Sequence, residues 1–305
     1  MKEQVFYLEN FDSFEPKHIF ECGQCFRWNE EKDGSYTGVF GNNVLNVKKE
    51  NNRVIFKGIC EGSIMERCNC YFDLDTDYDN IKKELSLIDV HLKNSINHGY
   101  GIRILKQDLW ETVISFIISA NNNIPRIKSI IERLCKAYGR GIVYNKNKYY
   151  TFPTPEELSA ASVEDLRKLG LGFRDKRVFD TTKMIIEKQV DLEKLKECCR
   201  GDTTTSKMQA LSRTADWSLD RIKEELVKLP GVGDKVAECI MLFGMNRFEV
   251  FPVDVWVRRV MNELYIKNEN EEKVNKDEIR KLAHKKYADL AGIAQQYLFY
   301  WKRGA

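Results

Sequence analysis

The chain has 305 residues, which is enough for two or three packed lobes of ordinary domain size. Its hydrophobic and charged fractions, 43% and 31%, are those of a soluble globular protein. The longest apolar stretch, residues 113–120, is too short to span a bilayer, and the first residues contain no apolar run of the kind a secretory signal requires. The composition therefore excludes a membrane-spanning or secreted protein, and we expect no membrane partner.

Charge and cysteine content say less about function. The net charge of +3 is too small to indicate a polyanionic partner, so any nucleic-acid surface must be local. The nine cysteines are an odd number with no disulfide-like spacing, which fits a reducing cytoplasm. Cys22-Gly-Gln-Cys25 with Cys68 and Cys70 downstream raises the alternative of a zinc site. No second Cys-x-x-Cys pair exists, so buried or free thiols are the favoured interpretation.

The first 100 residues are predicted to be β-rich. Segments 36–40, 44–48 and 53–57 alternate apolar and polar residues, and turn-forming residues separate them at 41–43 and 50–52. This pattern predicts a small antiparallel sheet. From about residue 79 onward the periodicity becomes helical.

The remainder is predicted to be helical. Asp108 is placed to cap a helix that Asn121-Asn122-Asn123 ends, and residues 124–138 form a second helix with Pro125 in its first turn. Residues 196–207 are polar and threonine-rich and are predicted to be a loop or an insertion. Further helices are predicted at about 176–188, 218–228, 234–246, 255–265 and 275–301.

These patterns predict an α+β fold with an N-terminal antiparallel β-sheet lobe packed on a larger all-helical body. The proposed division is residues 1–100 for the sheet domain and 101–305 for the helical domain. A helix-hairpin-helix motif is predicted at about 218–246.

Two of these helices meet at Leu229-Pro230-Gly231-Val232-Gly233. Two closely spaced glycines permit positive φ and expose backbone N–H groups and a helix N-terminus, which is a ready site for a phosphate. An ordinary αα-turn also needs glycine. The pentapeptide between two amphipathic helices favours a helix-hairpin-helix DNA module, with Gly231 and Gly233 at the DNA backbone.

Lys235 lies in the first turn of the second hairpin helix. The helix macrodipole is positive there, so a lysine is unfavourable for folding alone and its pKa is expected to be lowered. A partly desolvated neutral amine is a nucleophile. The alternative interpretation is a solvated lysine beside Asp234.

Asp254 begins another helix after Phe251-Pro252-Val253. Capping alone would explain an aspartate at this position. The functional interpretation is that its carboxylate faces the Lys235 amine and stabilises positive charge developing on a sugar. Both roles can hold together, because a capping carboxylate is held rigidly.

At this point the chain resembles the helix-hairpin-helix DNA glycosylase superfamily and, within it, the 8-oxoguanine DNA glycosylases of the eukaryotic-like branch. The resemblance runs from about residue 15 to residue 300. Besides the hairpin and Val253-Asp254, the motifs that match are Gly23-Gln-Cys-Phe-Arg-Trp28, Phe116-Ile-Ile-Ser-Ala-Asn-Asn-Asn-Ile-Pro-Arg126, Leu169-Gly-Leu-Gly-Phe-Arg174 and Ala291-Gly-Ile-Ala-Gln-Gln-Tyr-Leu-Phe299.

The resemblance implies a set of catalytic and base-recognition residues. It makes Lys235 the Schiff-base lysine and Asp254 the catalytic aspartate. It places Cys239 and Phe299 on the two faces of the flipped base, and it implies that Gln295 recognises the Watson–Crick edge of that base. The other base-recognition residues it implies are Gly23, whose backbone carbonyl would accept from N7–H, Phe243 and Pro252.

The same resemblance implies contacts to the rest of the duplex. Asn121 would fill the gap left by the flipped nucleotide, and Arg126 and Arg174 would contact the widowed cytosine. Phe173 would wedge beside that cytosine. The backbone carbonyls of Val227, Leu229 and Val232 would hold a monovalent cation, Na⁺ or K⁺, at a DNA phosphate.

Two positions depart from the family pattern. Trp256 occupies the place of a histidine that faces a phosphate in the eukaryotic enzymes, and Lys302 replaces an acidic residue that supports it. An indole N–H can donate a hydrogen bond but carries no charge. The chain also lacks a four-cysteine run after the hairpin, so no iron–sulfur cluster is expected.

The predicted function is excision of 8-oxoguanine from double-stranded DNA, preferentially opposite cytosine, with strand cleavage by β-elimination and no organic cofactor. An alkylpurine glycosylase is the nearest alternative, but that class generally lacks the lysine. A non-catalytic hairpin module would not explain Asn121, Arg126, Phe173 and Arg174. We expect a monomer in a prokaryotic cytoplasm, associated with the nucleoid.

Overall fold

The computed structural model describes residues 1–197 and 217–303. Its N-terminal part contains a five-stranded, fully antiparallel sheet. Numbered along the chain, the strands lie side by side in the order first, fifth, fourth, third, second. The three strands predicted from alternation are confirmed, and two further strands flank them at the sheet edges. The strands are β1 Glu3–Glu9, β2 Trp28–Glu30, β3 Tyr36–Phe40, β4 Asn43–Glu50 and β5 Arg53–Ile59.

The fifteen described helices follow mainly after the sheet. They are α1 Pro16–Glu21, α2 Ile64–Tyr71, α3 Tyr78–Ser86, α4 Val90–His98, α5 Leu109–Ser119, α6 Ile124–Tyr138, α7 Pro155–Leu158, α8 Val163–Lys168, α9 Asp175–Ile186, α10 Leu192–Glu197, α11 Leu219–Val227, α12 Asp234–Gly244, α13 Val255–Met261, α14 Lys276–Tyr287 and α15 Ala291–Arg303. The α+β fold is therefore confirmed.

Helix α5 is the central helix of the body. Nearly all of its side chains are buried, and it packs directly against α12, which carries Lys235. As predicted, Asp108 caps it by accepting a hydrogen bond from the Glu111 N–H at 3.0 Å. Helix α6 has the predicted bounds, and Pro125 lies in its first turn, where no N–H is needed.

The helical body is not entirely helical. A hairpin of β6 Gly141–Tyr144 and β7 Asn147–Tyr150 lies within it and packs Ile142 and Tyr144 against one face of the sheet. Asn145 and Lys146 both have positive φ, 47° and 64°, which is the geometry of a tight two-residue hairpin turn. The Asn-Lys pair lacks the usual glycine, so its turn signal is weak.

The prediction of one long helix at 275–301 is wrong, because the structure contains two helices there. Ala288 adopts φ 46° and begins a short 3₁₀ turn, Ala288–Leu290, between α14 and α15. The Gly292 N–H donates to the Phe248 carbonyl at 2.7 Å, and an added β-carbon at Gly292 would lie 2.9 Å from the Val250 carbonyl oxygen. This close tertiary contact fixes the start of α15 against the segment that follows α12, and no local sequence signal predicts it.

The predicted helix at 255–265 is α13 followed by a π-helical turn, Asn262–Ile266. The predicted loop at 196–207 begins within α10, and its residues 198–207 lie outside the described residues. No helix in the described part of the chain is long and apolar enough to cross a membrane.

The cysteines of the Cys-x-x-Cys pair are packed in the protein core. Cys22 and Cys25 are buried, and burial raises the pKa of the Cys22 thiol to about 11. Cys68 is buried as well, whereas Cys70 is exposed. Within residues 1–197 and 217–303, no group of three or more His, Cys, Asp or Glu side chains is arranged to hold a metal ion.

Candidate active site

One cavity collects the residues predicted to act on the base and the sugar. It is bounded by the Gly23 loop, α5, α12, the segment before α13, and α15. All eight predicted catalytic and base-recognition residues line it, together with three that the sequence did not single out. The eight are Gly23, Lys235, Cys239, Phe243, Pro252, Asp254, Gln295 and Phe299, and the three are Cys22, Phe116 and Gln296.

The hairpin that presents Lys235 is formed by α11 and α12. Gly231 has φ +89°, a left-handed conformation that favours glycine, and the Val232 N–H donates to the Leu229 carbonyl at 3.0 Å. Gly233 takes the position before α12 in an extended conformation, so Lys235 is the second residue of that helix. The predicted helix-hairpin-helix geometry is therefore present.

The Lys235 amine lies against an aromatic wall. Its Nζ is 5.6 Å from the centroid of the Phe116 ring, and Phe116 stacks on Phe243 at 5.5 Å. Burial of the ammonium acts to lower the pKa of Lys235, but attraction to Cys239 and Asp254 and a hydrogen bond with Cys239 outweigh it. The pKa of Lys235 therefore lies above its ordinary value.

The expected lowering of the Lys235 pKa is thus wrong for the free protein. The helix macrodipole alone would lower the pKa of this amine, but the fold also places two acidic groups, Cys239 and Asp254, beside it in the cavity. Burial raises the pKa of the Cys239 thiol to about 11, so that group is neutral near pH 7 and the attraction that acts on the Lys235 ammonium at that pH comes from Asp254. Lys235 must lose a proton before it can act as a nucleophile.

The raised pKa predicts a pH dependence for the first chemical step. The neutral fraction of an amine grows about tenfold per pH unit below its pKa, so excision at limiting DNA should rise between about pH 6 and about pH 9. Single-turnover rates across that range measure this. DNA binding by a Lys235→Gln variant over the same range corrects for changes in affinity. A flat corrected profile would contradict the assignment of the rising limb to this amine.

Asp254 combines the two roles expected of it. It is the N-cap of α13, and its carboxylate accepts from the Val257 N–H at 2.8 Å while lining the cavity. This hydrogen bond fixes the side chain in one position. A rigid carboxylate facing an ammonium and a sugar can stabilise positive charge on either.

Two features of the cavity suit recognition of a base edge. Gln295 is 6% exposed, and its Oε1 has no hydrogen-bond partner within the described residues. A buried amide oxygen without a partner is costly, so the position is prepared for a donor from outside the protein. Gly23 has φ +86° and lies beside Phe299, since an added β-carbon would be 3.4 Å from Cε1 of that ring.

The Gly23 loop is held by side chains that the sequence analysis did not identify. The buried Gln24 amide donates to the Ile19 and Arg103 carbonyls at 2.9 and 2.8 Å. Gln296 donates to the Cys22 carbonyl from the other side. Two signals were available in the sequence. Gln24 is a polar residue in a largely apolar motif, and base recognition uses only one residue of the Gln295-Gln296 pair.

The predicted duplex-contacting residues lie on an adjacent surface. Asn121 is exposed and has φ 51°, at the point where α5 ends, and Arg126 is exposed in the first turn of α6. Phe173 is 55% exposed, which is unusual for a phenylalanine and fits a side chain that inserts into DNA.

Arg174 is placed differently from Arg126. It is 2% exposed, and its guanidinium donates to the Ala120 carbonyl at 2.9 Å and to the Asn121 carbonyl at 2.8 Å. Arg174 therefore supports the turn that presents Asn121. Its predicted contact with cytosine would require these hydrogen bonds to be exchanged.

Of the two departures from the family pattern, Trp256 is exposed and Lys302 is half-buried. Trp256 is 48% exposed in the first turn of α13, with the Arg259 guanidinium 5.8 Å from its ring. Lys302 forms an ion pair with Glu263 at 2.6 Å. An opposite charge therefore already partners Lys302, and Trp256 presents a neutral aromatic surface.

The comparisons with known proteins agree with this geometry. A family model described as "8-oxoguanine DNA glycosylase, N-terminal domain" matches residues 7–113. One described as "HhH-GPD superfamily base excision DNA repair protein" matches residues 114–287. The "N-glycosylase/DNA lyase" of Saccharomyces cerevisiae is 31% identical over 92% of this chain and 81% of the yeast protein.

Two solved structures are similar along almost their entire length. "MBOgg1 in complex with low affinity DNA ligand" is 42% identical with a TM-score of 0.87, covering 100% of this chain and 99% of that one. The Clostridium acetobutylicum 8-oxoguanine glycosylase/lyase in complex with DNA that has cytosine opposite 8-oxoG is 39% identical, with a TM-score of 0.87 and coverage of 99% and 97%. The chain belongs to the helix-hairpin-helix superfamily of base excision DNA repair proteins and, within it, to the 8-oxoguanine DNA glycosylase/lyase family.

Proposed function

We propose that this protein excises 8-oxoguanine from double-stranded DNA and then cleaves the strand, acting as a DNA glycosylase with lyase activity. The observation that carries the proposal is a single cavity that holds the Lys235 amine, the Asp254 carboxylate and the unpartnered Gln295 oxygen. The first two groups suit attack on a sugar, and the third suits recognition of a base edge. The target nucleotide must leave the duplex to reach them.

The chemistry follows from these groups. The neutral Lys235 amine attacks C1′ of the flipped nucleotide, the C1′–N9 bond breaks, and its electron pair leaves with the base. Loss of the amine proton and opening of the sugar ring give an imine between Lys235 and C1′. The imine acidifies C2′–H, and loss of that proton expels the 3′-phosphate by β-elimination. Asp254 stabilises the positive charge on the sugar and on the imine.

Reduction of the imine provides the direct test. Borohydride should trap a covalent protein–DNA adduct on a duplex that contains 8-oxoguanine opposite cytosine, and no adduct should form on an undamaged duplex. An alkylpurine glycosylase that activates water would release its base without any trapped adduct. Release of 8-oxoguanine without trapping would therefore refute the lysine mechanism.

Preference for cytosine opposite the lesion is assigned to Arg126. Its exposed guanidinium can donate to the O2 and N3 acceptors of the widowed base. Arg126→Ala should relax the preference for cytosine over adenine by about 1–3 kcal/mol, the usual value of a good base contact. Excision rates opposite cytosine and opposite adenine measure this change, and Lys136→Ala on the exposed side of the same helix is the matched control.

Arg174 provides a contrast within the same experiment. Because Arg174 supports the Ala120–Asn121 turn, Arg174→Ala should lower excision opposite both bases. If Arg126→Ala also lowers both rates equally, then Arg126 binds backbone phosphate and does not read the opposite base.

A monovalent cation, Na⁺ or K⁺, is part of the proposal at the hairpin. Val227 is the last residue of α11, where carbonyls have no intrahelical donors, and the Leu229 carbonyl retains a second lone pair beside its bond to Val232. These oxygens fit a hard cation, which would supply positive charge to a DNA phosphate. The reaction itself requires no organic cofactor or iron–sulfur cluster.

The cellular setting completes the proposal. The seven cysteines within the described ranges are free thiols, as a reducing cytoplasm favours. The identity to a Clostridium enzyme supports a prokaryotic host, in which the protein would act on the nucleoid as a monomer.

A further inference from the structure

Arg177 joins two parts of the DNA-facing surface. It lies in the first turn of α9, and its aliphatic stem packs on the hairpin glycine Gly231. A β-carbon added at Gly231 would lie only 2.7 Å from Cδ of Arg177 and 3.4 Å from its Cβ and Cγ. The stem therefore fills the space that the missing side chain of the hairpin leaves open.

The guanidinium at the other end of this side chain contacts the exposed Phe173. The Cζ atom of Arg177 is 5.0 Å from the centroid of the Phe173 ring, and the Cζ atom of Arg174 is 4.2 Å from the same centroid. Within residues 1–197 and 217–303, Arg177 has no hydrogen bond or ion pair. Its N–H donors thus stand between the hairpin and Phe173 with no acceptor among the described residues.

The surroundings of Arg177 are positively charged and uncompensated. Burial lowers the pKa of Arg174, and the nearby charges of Arg126 and Arg177 lower it further, so the three guanidinium groups repel one another. The acidic residues of α9 are already engaged: Asp175 pairs with Arg167 at 2.7 Å and Asp180 pairs with Lys176 at 2.8 Å. Mutual repulsion, with both carboxylates of α9 engaged by other residues, favours an external polyanion.

We propose that Arg177 binds a DNA backbone phosphate between the hairpin and the Phe173 side chain, and that it thereby positions Phe173 for insertion. The inference rests on the proposed function, because it assumes that this face binds the duplex. Arginine suits the task better than lysine, since its planar guanidinium can donate to phosphate oxygens while its face supports an aromatic ring. A phosphate bound there would hold the hairpin and Phe173 in a fixed relation.

The test separates the charge of Arg177 from its shape. Arg177→Met keeps a stem over Gly231 and removes the charge, whereas Arg177→Lys keeps the charge and removes the planar group. Lys183→Ala, on another face of α9 and paired with Glu187, is the control for loss of one positive charge. Affinity for an uncleavable lesion duplex is measured against salt concentration. Insertion of Phe173 is followed by the fluorescence of 2-aminopurine placed beside the estranged cytosine.

Arg177→Met should reduce the slope of log affinity against log salt by about 1, because one phosphate contact is lost. It should also reduce the fluorescence change, whereas Arg177→Lys should retain the wild-type slope and show a reduced fluorescence change. An unchanged slope for Arg177→Met would overturn the phosphate contact, and unchanged fluorescence in both variants would overturn the positioning role. Wild-type excision in parallel tests the proposed function separately, since these binding readouts do not depend on catalysis.

Discussion

Lys235→Gln is expected to abolish both excision of 8-oxoguanine and formation of a borohydride-trapped adduct, while lesion DNA still binds. The amine makes the bond to C1′, and an amide cannot replace it as a nucleophile. A loss of roughly 10³-fold or more is the scale seen when a nucleophile is removed from an enzyme. Single-turnover excision, adduct trapping and equilibrium binding to the same duplex provide the three measurements.

Retained binding is expected because the duplex is held elsewhere. Asn121, Arg126 and the hairpin glycines Gly231 and Gly233 do not line the cavity that Lys235 occupies, so the substitution leaves them in place. Lys228→Gln is the matched control, since it removes a lysine from the same hairpin at an exposed position paired with Glu225. Excision near the wild-type rate by Lys235→Gln would refute the assignment of the nucleophile.

The loss of charge in this variant has a second consequence. Lys235 carries its proton in the free protein, so it is the positive partner of Asp254 inside the cavity. Glutamine leaves that carboxylate without its cation. We therefore expect a modest loss of thermal stability together with the loss of activity. If lesion DNA still binds, this loss of stability does not account for the lost activity, and Lys235 remains assigned as the nucleophile.

The composition of the cavity could be predicted from the sequence to an unusual degree. Its residues come from short motifs that span 276 positions, from Gly23 to Phe299, and all eight predicted residues line one space. This success reflects the resemblance to a family more than any local rule. Residues that act by supporting others were missed, because Gln24 and Gln296 are recognisable only when their carbonyl partners are seen in three dimensions.

The errors share a physical cause, which is that tertiary contacts override local pattern. The break at Ala288 follows from the contact between Gly292 and the Phe248 carbonyl, and not from any helix-ending residue. The pKa of Lys235 was judged from its helix alone, whereas Asp254 arrives from a different helix. The contact of Arg174 with cytosine stays a prediction, and in the free protein the donors of Arg174 hold the turn at Asn121.

Discrimination of 8-oxoguanine from the large excess of guanine is the second large effect that we predict. The two bases differ at C8 and N7, where guanine has an acceptor and the oxidised base has an N7–H donor. Stacking on Phe299 and contacts of Gln295 to the shared edge cannot separate them. The backbone of Gly23 is the feature that can, because its carbonyl would accept from N7–H and would face a lone pair if guanine occupied the cavity.

The structure holds Gly23 in a left-handed conformation at the wall of the cavity. Its φ of +86° favours glycine, and a β-carbon there would lie 3.3 Å from Nη1 of Arg303 and 3.4 Å from the Phe299 ring. The Gln24 and Gln296 hydrogen bonds keep this loop from moving away if guanine occupies the cavity. Because the Gly23 carbonyl cannot move, it would face the N7 lone pair of guanine without a donor. A buried acceptor without a donor costs about 1–3 kcal/mol.

An analogue of 8-oxoguanine with N7 replaced by C–H should therefore bind about ten- to hundredfold more weakly than 8-oxoguanine. The same replacement in guanine should act in the opposite direction, since it removes the lone pair that faces the Gly23 carbonyl. Both comparisons use the Lys235→Gln variant, so that affinity is measured without excision. A change in base stacking would shift both pairs the same way, whereas the Gly23 contact must weaken one and strengthen the other. Equal binding of 8-oxoguanine and its carbon analogue would exclude the Gly23 carbonyl as the discriminating group.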